Sequence, residues 1–520
     1  MTGRSALPCT LLSAACYGLA FPPLGWHLVA WVTLAPFFLA LRGAGVLRVI
    51  GLGVVWGVVA AYSVGTWMPV AVTRYYAQPA SVGVAVFLIC ALVTVAPYTV
   101  LFALLYRRVA RYGGAAGVLL GAAAWTASEL LRAVSPAGNP WALVGYALVP
   151  APPLVQIAEV TGVFGVCFAV AAVNAALAQL VAMRRELDAR TRAAERAGAR
   201  RGLLAAAGVV ALVLAYGAAR SLGTADGATA VVAADDGAPV PVAVIQGNLD
   251  LGSQWRPELY GENLEAYLRS TDAALARRPA RLVVWPENAL TFFLEDEPAY
   301  RRAIARVLAA HDAVLLTGGP RVAPGASPRE PRYLNAAFVL TPAGEVHAVY
   351  EKQYLVPFAE YFPLPAQGAL RRRFGRVREF SVGARHDPLP TPAGAAGVLI
   401  CNEALYGDVA RDRVRRGAEL LVNLSNDGWV GAERYAAIVF EMSRLRAIET
   451  RRWLVRSSTS GPSALIDPRG RVVAYAALDE RSAIDADVVP RRELTPYVRF
   501  GDLFGWACAV VALAAAVRRA

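Results

Sequence analysis

The chain has 520 residues, of which 56% are hydrophobic and 18% are charged, and its mean hydropathy is +0.42. Soluble globular chains are about 45–50% apolar and about 25% charged, so this composition argues against a fully soluble enzyme and against a disordered chain. The apolar excess lies in residues 1–220 and 501–520, whereas residues 221–500 have the mixed composition of a globular domain. We therefore expect a membrane protein with one extramembrane domain.

Eight apolar stretches are candidate transmembrane helices, since a helix needs roughly 17–25 residues to cross a bilayer. They lie at about 6–21, 26–41, 49–68, 82–106, 115–131, 158–183, 203–219 and 503–517. A signal peptide is the alternative for the first stretch, but residues 21–25 make a poor cleavage site and another apolar run follows. We expect a seven-helix domain over 1–220, a linker over 221–239, an outer domain over 240–500 and a last helix within 501–520.

The distribution of arginine predicts the orientation in the membrane. With a cytoplasmic N-terminus, fifteen arginines fall on the inner side, and only Arg74 and Arg132 lie in short outer loops. This bias predicts that both termini are cytoplasmic and that the outer domain lies on the opposite side of the membrane. Part of the net charge of +13 comes from these anchors, so we interpret the Arg-rich stretch 184–201 as a solvated loop helix and expect no nucleic-acid partner.

Short apolar strands alternate with helical stretches in the outer domain, which is typical of an α/β fold. The predicted strands lie at 240–248, 281–286, 313–317, 334–341, 397–401, 420–426, 454–458, 463–466 and 472–475. The predicted helices lie at about 258–278, 297–310, 408–417 and 433–450.

Two rare residues stand out in this domain. Cys401 is its only cysteine, so it cannot form an internal disulfide and is either a buried bystander or a reactive thiol. Lys352 is the single lysine among 52 basic residues, which suggests a position that a guanidinium cannot fill, with chance as the alternative. The histidines of the domain lack ligand spacing, so we expect no metal site.

Two predicted strands and one further segment lead to reactive side chains. Glu287 follows 281–286, Cys401 ends 397–401, and Lys352 precedes an apolar segment that ends on Glu360. We expect carboxylate, ammonium and thiol to meet at one edge of a sheet. A thiol beside a carboxylate and an ammonium is suited to acyl transfer through a thioester, because the carboxylate accepts the proton and the ammonium stabilises the oxyanion. Taken singly, each residue also fits a surface ion pair or a buried cysteine.

These motifs resemble the Glu-Lys-Cys signature of the carbon–nitrogen hydrolase (nitrilase) superfamily, in Trp285-Pro-Glu287, in Lys352 to Glu360, and in Cys401-Asn-Glu403. With the apolar spans and the segments 246–248, 425–429 and 441–444, the resemblance narrows to the apolipoprotein N-acyltransferase family over essentially the whole chain. It implies a nitrilase-like α-β-β-α sandwich joined to about eight transmembrane helices.

The resemblance also implies the reaction and the site. Members of that family lie in the bacterial inner membrane, with the catalytic domain on the periplasmic side, and need no cofactor. They move an acyl chain from the sn-1 position of a phospholipid to the α-amino group of the diacylglyceryl-cysteine that begins an apolipoprotein. The resemblance assigns Glu287 as the base, Lys352 as the oxyanion stabiliser, Cys401 as the nucleophile, Glu360 and Glu403 as supporting acids, and Trp255 and Trp429 as substrate-binding loop residues.

Several residues depart from the family pattern. We also expect Asn402 to belong to the active site. Tyrosine is frequent at this position in the family, so any role for a phenol at this position is absent. Tyr354 and Ala359 replace a frequent histidine and glycine, and Val430 replaces a frequent phenylalanine. These changes affect the fit of the acyl chain more than the triad.

Two other functions remain open from the sequence. A membrane-tethered amidase or nitrilase would use the same triad with water as the second nucleophile. A transporter or scaffold would only bind, although the spans contain few ionisable residues to line a polar path. No association motif is recognisable, so we expect a monomer in the bilayer.

Overall fold

The computed structural model describes residues 3–183, 189–222, 237–249, 257–326, 331–361, 379–428, 430–431 and 433–518. Two compact units make up the chain. The first comprises Met1–Pro69, Pro79–Gly227 and Phe500–Ala520, and the second comprises Val70–Gln78 and Ala228–Arg499. The short segment Val70–Gln78 thus clusters with the unit that carries the sheets.

Helices form the first unit. In chain order they are α1 (Gly3–Tyr17), α2 (Ala30–Thr33), α3 (Ala35–Leu41), α4 (Val46–Gly65), α5 (Trp67–Tyr75, which continues into the second unit), α6 (Ala80–Thr94), α7 (Ala96–Val109), α8 (Gly114–Val134), α9 (Pro152–Val155), α10 (Ala158–Thr161), α11 (Val163–Met183) and α12 (Ala189–Leu222).

Within the described residues, five helical stretches are long and apolar enough to cross a membrane: Val46–Gly65, Ala80–Tyr112, Gly114–Val134, Val163–Ala182 and Ala193–Arg220. Three shorter apolar helical stretches cover Ser5–Ala20, His27–Leu41 and Leu503–Val517. Large apolar side chains on these helices are exposed, as at Leu212 (67%) and Val510 (66%). Such faces are suited to hydrocarbon rather than to water.

Proline and glycine interrupt three of the predicted stretches. Stretch 82–106 is two helices that meet at Val95, just before Pro97, and stretch 26–41 is broken at Leu34 before Pro36. Gly162, at a φ of 61°, separates α10 from α11. Proline lacks the N–H that continues a helix and glycine tolerates positive φ, which accounts for the breaks.

The second unit contains two mixed six-stranded sheets. The strands are β1 (Val240–Gln246), β2 (Leu282–Val284), β3 (Val314–Val322), β4 (Tyr333–Leu340), β5 (Val346–Glu351), β6 (Leu389–Thr391), β7 (Gly394–Ile400), β8 (Leu420–Ser425), β9 (Leu454–Ser458), β10 (Ser463–Ile466), β11 (Val472–Ala476) and β12 (Ser482–Val488). The first sheet has the order β12-β1-β2-β3-β4-β5, and the second has the order β11-β10-β9-β8-β7-β6.

The helices of this unit are α13 (Pro257–Arg277), α14 (Pro298–Ala310), α15 (Gly407–Arg415), α16 (Glu433–Thr450) and α17 (Pro496–Phe500), and α18 (Leu503–Val517) returns to the first unit. The path β1-α13-β2-α14-β3-β4-β5 has the same topology as β7-α15-β8-α16-β9-β10-β11. In each path the first three strands are parallel and the last two are antiparallel. The sequence shows no internal repeat, but the topology does.

Three apolar clusters hold these elements together. One contains side chains of both sheets, among them Val244, Val284, Val398 and Leu424. A second joins the first sheet to α13 and α14, and a third joins the second sheet to α15 and α16. Each sheet is therefore covered on both faces, which explains why the central strands are almost uniformly apolar.

The nine predicted strands of the outer domain are all present, within a few residues of their predicted ends except that β3 continues to Val322. Strands β5, β6 and β12 were not predicted. β6 has only three residues, and β12 alternates apolar residues with Asp485 and Asp487, so neither has the apolar run on which the prediction relied.

Candidate active site

Glu287 lies three residues beyond the end of β2, at a place where the backbone is tightly held. The Pro286 carbonyl accepts a hydrogen bond from the Gly318 N–H at 3.2 Å. A β-carbon on Gly318 would lie 2.8 Å from the Glu287 α-carbon. Glycine at 318, in β3, thus lets the two segments approach closely and sets the position of Glu287.

Lys352 is the first residue after β5, and its side chain is only 1% exposed. Its Nζ atom lies 2.9 Å and 3.0 Å from the two oxygens of Glu360 and 3.5 Å from Oε1 of Glu287. The ammonium is therefore held between two buried carboxylates. Glu360 is fixed in turn by the Val356 N–H, which donates to its Oε2 atom at 2.8 Å.

Asn335, in β4, joins these groups and was not predicted. Its Nδ2 atom donates to Oε1 of Glu287 at 2.8 Å and to Oε1 of Glu360 at 2.9 Å, while its main-chain oxygen accepts the Lys352 N–H at 2.8 Å. The only sequence signal for Asn335 is that it is a lone polar residue in the apolar strand Tyr333–Leu340. Buried polar residues are retained where they are hydrogen-bonded, so such a residue marks a network.

Cys401 follows β7 directly and begins the 3-10 turn Cys401–Leu405. Its φ angle is 53°, in the left-handed region that costs a residue with a side chain roughly 1–3 kcal/mol. Asn423 donates from Nδ2 to the carbonyls of Leu399, at 2.8 Å, and of Cys401, at 3.4 Å. These bonds from β8 help to hold the strained turn.

Glu403 is buried and ties the turn that begins at Cys401 to the segment that follows Lys352. Its carboxylate accepts hydrogen bonds from the N–H groups of Ile400 (2.7 Å), Gln353 (2.9 Å) and Tyr354 (3.2 Å), and the Tyr350 hydroxyl lies 2.8 Å from both oxygens. Glu403 does not line the pocket described next. Its contacts indicate a positioning role.

A cavity of about 50 Å³ brings four of the predicted residues together, namely Glu287, Lys352, Glu360 and Cys401. It is lined by Tyr75, Glu287, Asn288, Asn335, Lys352, Val356, Ala359, Glu360, Phe380, Cys401 and Asn426. The prediction that the three groups meet at one edge of a single sheet was wrong. Glu287 and Lys352 follow strands of the first sheet, whereas Cys401 follows a strand of the second. The side chains meet because the two sheets share a core.

Burial and neighbouring charges shift the pKa values in this cavity. Burial raises the pKa of Glu287 above its usual range, although Lys352 and hydrogen bonds from Asn335 and the Cys401 thiol oppose the shift. Burial and the Glu287 carboxylate raise the pKa of Cys401 well above its usual range. Burial alone would lower the pKa of Lys352, but Glu360 and Glu287 raise it. The site thus contains a thiol, an ammonium whose pKa is raised, and a carboxylate whose raised pKa suits it to accept a proton.

A second buried ion pair belongs to the same unit. Arg456, which is 0% exposed, bonds through Nη2 to Asp427 and also contacts Oδ1 of Asn423, the residue that holds the Cys401 turn. Ser425 and Ser458 donate to Asp427 at 2.9 Å each. The sequence analysis missed this network, whose signals are Asn423 and Arg456 inside apolar strands.

The remaining predicted residues fall into two groups. Trp255 and Trp429 lie outside the described residues. Asn402 is partly buried, and its Oδ1 atom is buried with no hydrogen-bond partner in the described part of the chain. Of the residues that depart from the family pattern, Ala359 lines the cavity and Tyr354 packs against Tyr406 with ring centroids 5.3 Å apart.

Comparison with known proteins gives matches over both units. A family model described as carbon-nitrogen hydrolase matches residues 241–496, and one described as apolipoprotein N-acyltransferase N-terminal domain matches residues 13–176. Among solved structures, an amidase of Nesterenkonia from the nitrilase superfamily is 17% identical, with a TM-score of 0.38, and the match covers 52% of this chain and 96% of the amidase.

Full-length relatives are more similar. Apolipoprotein N-acyltransferase of Geobacter metallireducens is 33% identical, over 98% of this chain and 95% of the relative. The enzyme of the same name from Azotobacter vinelandii is 33% identical over 96% and 93%, and that of Pseudomonas syringae is 30% identical over 97% of each chain. On these matches, the chain belongs to the apolipoprotein N-acyltransferase family.

Proposed function

We propose that this protein transfers an acyl chain from the sn-1 position of a phospholipid to the α-amino group of the N-terminal diacylglyceryl-cysteine of a lipoprotein. The observation that carries the proposal is the cavity on which Cys401, Glu287 and Lys352 meet, in a chain that also carries long apolar helices. The activity named for the full-length relatives is the same.

In the first step the Cys401 sulfur attacks the sn-1 ester carbonyl and Glu287 takes the thiol proton. Lys352 stabilises the negative oxygen of the tetrahedral intermediate. The carbon–oxygen ester bond then breaks, and the departing glycerol oxygen takes the proton back from Glu287. The products are the Cys401 thioester and a lysophospholipid.

In the second step the α-amino group of the lipoprotein attacks the thioester carbonyl. Glu287 takes a proton from the amine, the carbon–sulfur bond breaks, and the proton passes to the departing sulfur. An amide forms and the free thiol is restored.

The charges of the cavity support an uncharged resting thiol. Two carboxylates and one ammonium already carry a net negative charge if both acids are ionised, and a preformed thiolate would add a second in a site with little water. Proton transfer to Glu287 during attack avoids that state, and the raised pKa of Glu287 suits it to the task.

The proposal extends to the arrangement of the whole chain. Residues 1–220 and 501–520 provide eight transmembrane helices, 221–239 a linker, and 240–500 an α-β-β-α sandwich on the periplasmic side of the bacterial inner membrane, with both termini cytoplasmic. The three apolar clusters support the four layers. The protein acts as a monomer, Glu360, Glu403 and Asn402 support the triad, and Trp255 and Trp429 contact the substrates.

The test is the intact mass of detergent-purified protein after incubation with phospholipid, for the wild type and for Cys401→Ala. We expect a gain of one acyl chain on the wild type only, and its loss when a diacylated lipopeptide is added. If both proteins are folded and neither gains mass, the proposal fails. A small amide hydrolysed in place of lipid would identify a membrane-tethered amidase instead.

A further inference from the structure

A cleft of about 800 Å³ opens in the helical unit, where several of its helices begin or end. Its walls come from the end of α3, the turn after α7, the start of α8, the end of α11 and the first half of α12. The residues that matter below are Arg42, Arg111, Arg201, Glu195 and Gly114 to Ala116. The volume lies within the range of about 300–1,000 Å³ typical of ligand sites.

The cleft is strongly cationic. Three guanidinium groups and one carboxylate, Glu195, line it, so the side chains that define it carry a net charge of two positive units. The Nη1 atom of Arg42 is buried and has no hydrogen-bond partner among the residues that the structure describes. Among the described residues, the side chain of Arg201 bonds only through Nε, to the Ala197 carbonyl at 3.4 Å. Arg111 is already engaged, since its Nη2 atom donates to the carbonyls of Ala515 and Arg518 and to the Tyr112 hydroxyl, so the free donors come chiefly from Arg42 and Arg201.

Backbone donors add to this charge. Helix α8 has 21 residues and begins at Gly114, and Gly114, Ala115 and Ala116 all line the cleft. The N–H groups of a first helical turn have no partner within the helix and favour an anion. Arginine forks are suited to the paired oxygens of a phosphate. Together, the arginine side chains and the N–H groups at the start of α8 offer hydrogen-bond donors to an anion in this cleft.

Part of the wall is apolar, although Tyr112 and Gln179 also line it, and this mixture favours an anion that carries apolar groups. Leu39, Ala110 and Ala182 line the same cleft, and its edges are the ends of α8 and α11, both apolar enough to cross a membrane. Phospholipid headgroups lie at that depth, and basic pockets between the ends of transmembrane helices bind anionic ones. We propose that this cleft binds the phosphate of an anionic phospholipid as a resident lipid, at a site separate from the acyl-donor cavity.

The experiment uses the full chain, delipidated in neutral detergent, and native mass spectrometry to count bound lipid. The probe is a diether phosphatidylglycerol, which has no ester for Cys401 to attack. We compare the wild type with Arg42→Gln/Arg201→Gln and with the control Arg108→Gln/Arg200→Gln. The control removes two exposed arginines that do not line the cleft.

We expect one more phosphatidylglycerol on the wild type and the control than on Arg42→Gln/Arg201→Gln, whose affinity for that lipid falls at least tenfold. Thermal unfolding without lipid, and the thioester assay, check that each variant is folded, and the single variants replace the double one if it is not. The proposed lipid site would be refuted if all three proteins bound the same number of lipid molecules. It would also be refuted if the control lost as much bound lipid as Arg42→Gln/Arg201→Gln. The assignment to an anionic phospholipid would be refuted if diether phosphatidylcholine bound equally well. It would also be refuted if inorganic phosphate raised the unfolding temperature as much as the lipid does.

Discussion

The stability that the buried pair Arg456–Asp427 gives to the network around the Cys401 turn can be tested quantitatively. Both side chains are at most 1% exposed, and Arg456 also donates to the Pro462 carbonyl at 3.1 Å and contacts Asn423. Arg456→Met leaves a buried carboxylate and two further acceptors without their partner. Breaking one side of a buried ion pair costs about 3–5 kcal/mol, and we expect a loss of this size for Arg456→Met and for Asp427→Asn.

The double variant Arg456→Met/Asp427→Asn removes both charges at once. It should therefore be more stable than the sum of the single losses predicts, with a coupling of at least about 2 kcal/mol. For a domain of this size each kcal/mol shifts the unfolding temperature by about 2–4 °C, so each single variant should unfold roughly 6–20 °C below the wild type.

The assay is thermal unfolding of the four detergent-purified proteins, with thioester formation measured by intact mass in parallel. The control is the exposed pair Glu265–Arg269 on α13, whose side chains are 63% and 69% exposed and whose removal should cost only about 0.3–0.5 kcal/mol. Single losses at Arg456 and Asp427 below about 1 kcal/mol, or a double loss equal to their sum, would refute the reasoning.

Three more outcomes concern the cavity. Glu287→Gln should give no acyl adduct by intact mass, and an adduct on Cys401 in this variant would show that another base serves. In the wild type, the rate of thioester formation should fall as the pH drops through the raised pKa of Glu287. As the pH increases, the rate should show no second rise near the usual pKa of a thiol. A second rise in the pH profile would point to a preformed thiolate. Gly318→Ala should slow thioester formation roughly 10–100-fold, because its new methyl group would press on Glu287. The control Gly261→Ala should leave the rate unchanged, since its new β-carbon meets only a hydroxyl at 3.8 Å. Equal rates for the two variants would contradict this account.

Much of the second unit was predictable from the sequence, because its central strands are buried on both faces. Such strands appear as apolar runs, and Leu454–Ser458 and Ser463–Ile466 were predicted at their observed bounds. The three strands that were not predicted, β5, β6 and β12, all lie at sheet edges. In β12, Asp485 and Asp487 bond Arg278, so acidic residues break the apolar pattern while the backbone still pairs with β1.

The sequence pointed to the residues of the candidate site but not to how the two sheets arrange them. Glu287, Lys352 and Cys401 are rare types at strand ends, and this drew attention to them. Which sheet each strand joins depends on long-range pairing that periodicity does not encode, so the position of Cys401 on the second sheet could not be predicted. Asn335 was missed because a single asparagine in an apolar strand carries no chemical motif.

The repeated topology of the two sheets has a consequence for the order in which the enzyme becomes reactive. Glu287 and Lys352 belong to the first repeat, and Cys401 belongs to the second. Each half of the domain is therefore chemically incomplete, and a polypeptide cut between β5 and β6 would yield two inert fragments. During synthesis, Cys401 can meet Glu287 and Lys352 only after both halves have been made and have packed together.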